Sequence, residues 1–321
     1  MRRGLKKGLL VALAVVLLSI PGSQTLVEAT DAVKSAKTDH QQLIMQLDNL
    51  SGYQARRAGS KPPQIYAKSY LLMDAESSRV IVAQNANEKI PIASTTKMVT
   101  ALVARELFEL DEAVTVSRNA MLIPGSKIDL QAGEKITVLN LLKGLLIQSG
   151  NDAAFTLAYY YSKEKGQYQP FVAKMNEFAV AQNLKMSNFG DPAGLDDDTG
   201  RSTAFDLANI ARLLLKDPVL AKIVVTPEET IASVDGALTH QLKNSNRLVV
   251  GDNPLYLPNV LGVKTGFTPA AGHCLVSAYR LGDRTFIGVV MNTAEYTITA
   301  SASEMRKLFK WADQNVLAVK Y

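Results

Sequence analysis

The chain has 321 residues, 47% of them hydrophobic and 20% charged, with a formal net charge of +5. That composition excludes a mostly disordered or collagen-like protein, and the length suits about two domains or one large core with an insertion. The single cysteine, Cys274, excludes an internal disulfide, and a core of this size needs none.

Most of the net charge sits at the start. Residues 1–29 hold Arg2, Arg3, Lys6 and Lys7 against Glu28 alone. The remainder is nearly balanced, which gives no reason to expect nucleic-acid binding. An uncharged run from Leu9 to Ile20 is broken by Pro21-Gly22, and Val27-Glu28-Ala29 offers small side chains to a signal peptidase. The pattern predicts a signal peptide over 1–29. The run is short of the ~20 apolar residues that span a bilayer. The alternative is an uncleaved anchor, the one case in which a membrane would be a partner. The expected location is exported: the periplasm or outer cell envelope, soluble or weakly membrane-associated. Leu43, Ile44, Leu47 and Leu50 then recur at helical spacing, and Arg56 to Pro63 reads as a basic linker. Residues 30–64 are thus a polar helix and linker, acting as a spacer or a partner-binding segment. Residues 65–321 form the main body.

Tyr70 to Asp74 and Arg79 to Ala83 are apolar runs joined by Ala75-Glu76-Ser77-Ser78, which predicts a β-hairpin. A helix is predicted over Thr95 to Leu110, with Ser94-Thr95-Thr96-Lys97 at its start. Positions three apart share a helix face, with Cβ atoms about 5–6 Å apart, so Lys97 can set its amine beside the Ser94 hydroxyl. A serine is a weak nucleophile until a base takes its proton, and a neutral lysine can be that base. The positive end of the helix dipole also favours Ser94. By itself the pattern is weak. Ser162-Lys163-Glu164-Lys165 matches it too and reads as a solvated surface turn.

Further helices are predicted over Leu139–Gln148, Asp152–Tyr161, Phe171–Leu184 and Thr203–Leu215, the last capped by Ser202. Ser149-Gly150-Asn151 falls in the turn between the first two. Serine can relay a proton there, and asparagine can hold a lysine amine and a substrate amide together. The same residues also serve as plain helix caps, and Ser117-Arg118-Asn119 has the same form. Strand-like runs follow at Val260–Thr265, Cys274–Tyr279 and Thr285–Met291. A last helix is predicted over Ala302–Val319, with Met305, Leu308, Phe309 and Ala312 on one face.

Lys264-Thr265-Gly266 closes the first of those runs. Alternation sends Lys264 and Thr265 to opposite faces, yet both converge on a carboxylate if the strand twists at Gly266. The missing side chain at Gly266 would let a substrate backbone lie along the edge as an extra strand. Alone, the triplet also reads as a strand ending in a turn. Strands at both ends with helices between predict an α+β protein. Its antiparallel sheet is built from both chain ends and flanked by helices, with an inserted, mostly helical subdomain. His40, His240 and His273 lack metal-ligand spacing, so no metal or other cofactor is expected. Cys274 reads as core.

Ser-x-x-Lys, Ser-x-Asn and Lys-Thr-Gly together form one set for penicillin-interacting serine enzymes. They occur here in that order, on a helix start, a helix–helix turn and a late strand. At these residues the chain resembles the low-molecular-mass penicillin-binding proteins, specifically the serine-type D-Ala-D-Ala carboxypeptidase family. The resemblance runs from about Ile65 to Trp311 and includes the segments Leu71–Ala75, Gly190–Leu195 and Gly262–Cys274. It implies a penicillin-binding protein/β-lactamase-like transpeptidase fold. It implies an acyl-enzyme on Ser94, Lys97 as proton acceptor, and Ser149 and Asn151 in the proton-handling network. Lys264 and Thr265 would bind the terminal carboxylate, beside Gly266 and Phe267, and the backbone N–H groups of Ser94 and Phe267 would form the oxyanion hole. Burial and the charge of Lys264 would lower the Lys97 pKa. The implied partners are peptidoglycan stem peptides ending in D-Ala-D-Ala, with β-lactams as inhibitors.

Two departures stand out. Some members add a β-rich domain and an amphipathic anchor, neither of which is expected in the ten residues after Trp311. Some also place an arginine before the final helix. Ala294–Glu304 has none, and Arg306 is the first candidate. A D-Ala cross-link endopeptidase is the alternative within the family. A class A β-lactamase is more distant, because Met186–Arg201 holds no glutamate and Ser149-Gly150-Asn151 differs from Ser-Asp-Asn. A non-catalytic wall-binding protein is the third alternative.

Overall fold

The computed structural model describes residues 60–163, 167–293 and 297–316. The predicted leader, the Leu43–Leu50 spacing, Arg56–Gly59 of the linker, Glu164, Lys165 and the end of the predicted last helix lie outside them. The body opens with β1 (Ala67–Asp74) and β2 (Val80–Gln84), the predicted hairpin. A 3-10 turn, Ala93–Thr96, leads into α1 (Lys97–Leu107). Then follow β3 (Ala113–Thr115), α2 (Arg118–Met121), β4 (Lys135–Thr137) and α3 (Val138–Lys143), which runs into a π-helical turn, Gly144–Gln148. Helices α4 (Asn151–Ser162), α5 (Gln169–Ala181), α6 (Ala204–Lys216) and α7 (Pro218–Val225) come next. After β5 (Glu228–Ala232) and β6 (Thr239–Lys243), the chain returns through β7 (Val260–Thr268), β8 (Gly272–Leu281) and β9 (Arg284–Thr293) to α8 (Ala300–Asn315).

Both chain ends share one five-stranded sheet of order β2-β1-β9-β8-β7, antiparallel throughout. The fold is α+β, as expected. Both sheet faces are covered, which is why its strands read as unbroken apolar runs rather than an alternation. Leu71, Met73, Val276, Ile287 and Val289 join the core shared with the helices. Their neighbours Leu72, Leu275, Phe286 and Val290 point the other way, under α8. The predicted face of α8 is buried there, and the Tyr279 ring stacks on Phe309 at 5.1 Å. Helix α1 is buried from Lys97 to Ala104, so it runs through the middle of the helical layer.

The structure corrects the sequence reading in several places. Helix α6 starts one residue later than predicted. Thr203 is its cap, accepting from Asp206 N, while the Ser202 hydroxyl pairs with Ser187 at 2.7 Å. The helix predicted over 139–148 changes to π-helical winding in its second half. Ser117 caps α2 by accepting from Ala120 N, a structural job. Ser162 donates to Ala158 O at the end of α4. The pairs β3–β4 and β5–β6 and helix α7 were not predicted. Among the described residues no helix is long and apolar enough to cross a membrane.

Candidate active site

Edge strand β7 lies against the 3-10 turn that precedes α1, and the three motifs meet in one cleft there. The Lys97 Nζ is 2.8 Å from Ser94 Oγ, 2.7 Å from Asn151 Oδ1 and 2.8 Å from Ala193 O. The lysine is wholly buried because its helix is enclosed along this stretch. Burial lowers its pKa from 10.5 to about 7, against the opposing pull of Asp191 and Asp152. Two of its three partners are oxygens that only accept. Asn151 is fixed with Oδ1 towards the lysine, because its Nδ2 donates to Pro124 O at 2.6 Å. A neutral amine here gives its two N–H groups to Asn151 and Ala193 and turns its lone pair to the Ser94 hydroxyl. That arrangement suits a general base.

The Ala193 carbonyl was missed, since a backbone acceptor leaves no side-chain signature in a sequence. Its segment, Gly190–Leu195, stands out in the sequence only through the family resemblance. Asp191 curls this segment by accepting from the N–H groups of Ala193, Gly194 and Leu195 at 2.6, 2.8 and 2.9 Å. Thr100 ties it to α1 by donating to Pro192 O at 2.6 Å. Gly194 has φ +78, and a Cβ there would lie 2.0 Å from Ala93 O. Only glycine lets this turn press against the one carrying Ser94. Burial raises the Asp191 pKa, while its three backbone donors and Lys97 pull it down.

Ser149 ends the π-turn with a left-handed φ of 70 and lines the cleft. Its hydroxyl has no hydrogen-bond partner among the described residues. The Asn151 N–H donates to Ser126 O at 2.7 Å, which holds the Pro124–Ser126 loop along the wall. Asp152 fixes the next residues by accepting from Ile128 N and Leu130 N.

On β7, Thr265 Oγ1 pairs with Ser245 Oγ at 2.6 Å. Lys264 is buried and donates to Thr265 O at 3.0 Å. Burial, then the charge of Lys97, hold the Lys264 pKa well below 10.5. Burial, as expected, is the main cause that lowers Lys97, and the two ammonium groups repel each other. Gly266 packs closely against the turn that carries Ser94. A Cβ there would lie 3.0 Å from Ile92 O and 3.1 Å from Ser94 N. Its missing side chain makes room for that turn. Phe267 is half exposed and stacks on His273 with ring centroids 4.3 Å apart.

The cleft has a volume of about 670 Å³. Ser94, Ser149, Asn151, Thr265, Gly266 and Phe267 line it, with Lys97 and Lys264 buried behind. Arg306 does not line it, but Arg247 does. Arg247 was missed because it lies in the irregular stretch between β6 and β7, outside any motif.

A family model described as D-alanyl-D-alanine carboxypeptidase matches residues 56–295. The chain is 35% identical to the D-alanyl-D-alanine carboxypeptidase DacF of Bacillus subtilis (strain 168), covering 71% of this chain and 58% of that protein. It is 34% identical to DacC of Escherichia coli (strain K12), covering 78% and 62%. The chain thus spans about three-fifths of the length of these curated relatives. The solved DD-transpeptidase of Streptomyces K15 superposes with a TM-score of 0.71 at 30% identity, over 78% of this chain and 98% of that one. The D-alanyl-D-alanine carboxypeptidase of Mycobacterium tuberculosis H37Rv gives 0.71 at 31% identity, over 79% and 94%. With the match spanning most of the body, the chain belongs to the D-alanyl-D-alanine carboxypeptidase family.

Proposed function

We propose that this chain is a serine-type D-alanyl-D-alanine carboxypeptidase. It removes the terminal D-Ala of peptidoglycan stem peptides through an acyl-enzyme on Ser94, and β-lactams acylate the same serine. The observation that carries the reading is the buried Lys97 amine, 2.8 Å from Ser94 Oγ with its other two partners fixed acceptors. As Ser94 Oγ attacks the penultimate D-Ala carbonyl, Lys97 takes its proton. The N–H groups of Ser94 and Phe267 receive the oxyanion, each lowering the barrier by about 3 kcal/mol. Lys97 returns that proton through Ser149 to the leaving amine, the C–N bond breaks, and D-Ala departs. Water then attacks the ester, losing its proton to the neutral Lys97, which hands it to Ser94 Oγ as the acyl–oxygen bond breaks. Asn151 holds the lysine and a substrate amide. Thr265 and Lys264 hold the terminal carboxylate. The substrate class lies outside the cytoplasmic membrane, which suits export by the 1–29 leader and a catalytic domain over 65–321.

The test incubates the purified protein with a pentapeptide ending in D-Ala-D-Ala and with cross-linked muropeptides, beside Ser94→Ala. Wild type is expected to release D-Ala and to take a covalent penicillin label, and the variant to do neither. Monomerised muropeptides without D-Ala release would mean an endopeptidase. Labelling that survives Ser94→Ala would overturn the site.

A further inference from the structure

We infer that Arg247 is the specificity-determining cation of this cleft: it holds the carboxylate on the leaving group of the acyl donor, the task for which the start of the last helix offers no arginine. The inference rests on the acyl-enzyme reading above.

The cations at the site are few. The Lys97 nitrogen is committed to Ser94, Asn151 and Ala193. Lys264 is buried behind the wall with its Nζ turned to Thr265 O. Arg247 lines the cleft, is half-buried, and has no hydrogen bond or ion pair among the described residues. A guanidinium cannot shed its proton to escape this setting, and a partly desolvated charge without a partner is costly. An arriving carboxylate relieves that cost, and its two oxygens match the planar fork.

Position supports the same role. Arg247 lies close enough to His273 for its charge to add to burial in lowering that imidazole. Phe267 and His273 line the same cleft as Arg247. Its segment is rigidly held. Asn244 Nδ2 donates to Val224 O and Thr226 O at 3.1 and 2.8 Å, and Asn246 Oδ1 accepts from Leu248 N at 3.1 Å. The same segment supplies Ser245, whose hydroxyl pairs with Thr265. One short stretch thus brings a hydroxyl pair and a guanidinium to one wall. The start of α8 brings Ser301 and Ala302, which are small and uncharged.

Two N-acyl-D-alanyl thioesters test this, one with a thiolactate leaving group and one with its carboxamide. In both, the Ser94 Oγ–C bond forms and the C–S bond breaks to release the thiol. Thiol release and the acyl-enzyme mass are followed. Wild type is expected to prefer the carboxylate donor. Arg247→Gln should lower kcat/KM for that donor by about 10- to 100-fold, chiefly through KM. It should leave the carboxamide donor within about twofold, and Arg247→Lys should restore part of the loss. Equal loss with both donors would make Arg247 merely structural, and no loss with either would make it idle. Wild type acylated by both donors at one rate would likewise overturn the inference while sparing the acyl-enzyme. Wild type acylated by neither would overturn the proposed function, and this inference with it.

Discussion

In water a lysine amine keeps its proton to about pH 10.4. Lys97 gives it up near 7 because it is buried in the first turn of its helix, and the neighbouring carboxylates recover only part of that loss. Asn151 keeps this balance, being neutral and locked by Pro124 O. Asn151→Asp would put a negative charge beside the amine and favour its protonated form. The Lys97 pKa is expected to rise by about one to three units. Acylation at neutral pH should fall by tenfold or more and recover at alkaline pH, as a pH–rate profile would show. A variant profile that coincides with wild type would remove Asn151 from the proton network. Lys97→Met should slow Ser94 acylation by about 10²- to 10⁴-fold while the far-UV circular dichroism stays native. At this scale much of the site could be read, because Ser94 and Lys97 declare themselves by helical spacing and Thr265 by its strand. The Ala193 carbonyl and Arg247 could not, since neither belongs to a side-chain pattern.

Among the elements, the nucleophile's 3-10 turn is wedged between β7 and the Gly190–Leu195 turn, and a glycine faces it from each side. Gly266→Ala would introduce contacts of 3.0–3.1 Å with Ile92, Ala93 and Ser94. The expected cost is about 1–3 kcal/mol of stability, measured by urea denaturation. Acylation should slow as well, because the strand must move off Ser94. Gly194→Ala should cost more, since strain at φ +78 adds to the clash with Ala93 O. The large sheet was legible from its apolar runs and the long helices from their spacing. The π-turn at 144–148 was not, because apolar periodicity does not report which carbonyl each N–H chooses. The β3–β4 and β5–β6 pairs are short and partly polar, so they offered no run to notice. Helix α7 did carry a signal in Asp217-Pro218, where the carboxylate caps Val219 N and Leu220 N.

On the scale of the whole molecule, the first and last strands of the body share a sheet, and the reactive groups come from segments near 94, 150, 193 and 265. Their meeting depends on the two packed layers rather than on local structure. Phe309 is fully buried on the sheet face opposite the helical layer. Phe309→Ala should therefore lower stability by about 3–5 kcal/mol. It should leave acylation by the folded enzyme within a few-fold of wild type. A collapse in acylation with unchanged denaturation midpoint would show that the α8 layer enters the chemistry. The most direct test of the account is the acylation rate of Ser94 by penicillin, measured from about pH 5 to about pH 9. A rise with a midpoint near 7 and a plateau above it is predicted, reporting the loss of the Lys97 proton. A rate that stays flat, or falls as pH climbs through that midpoint, would contradict it.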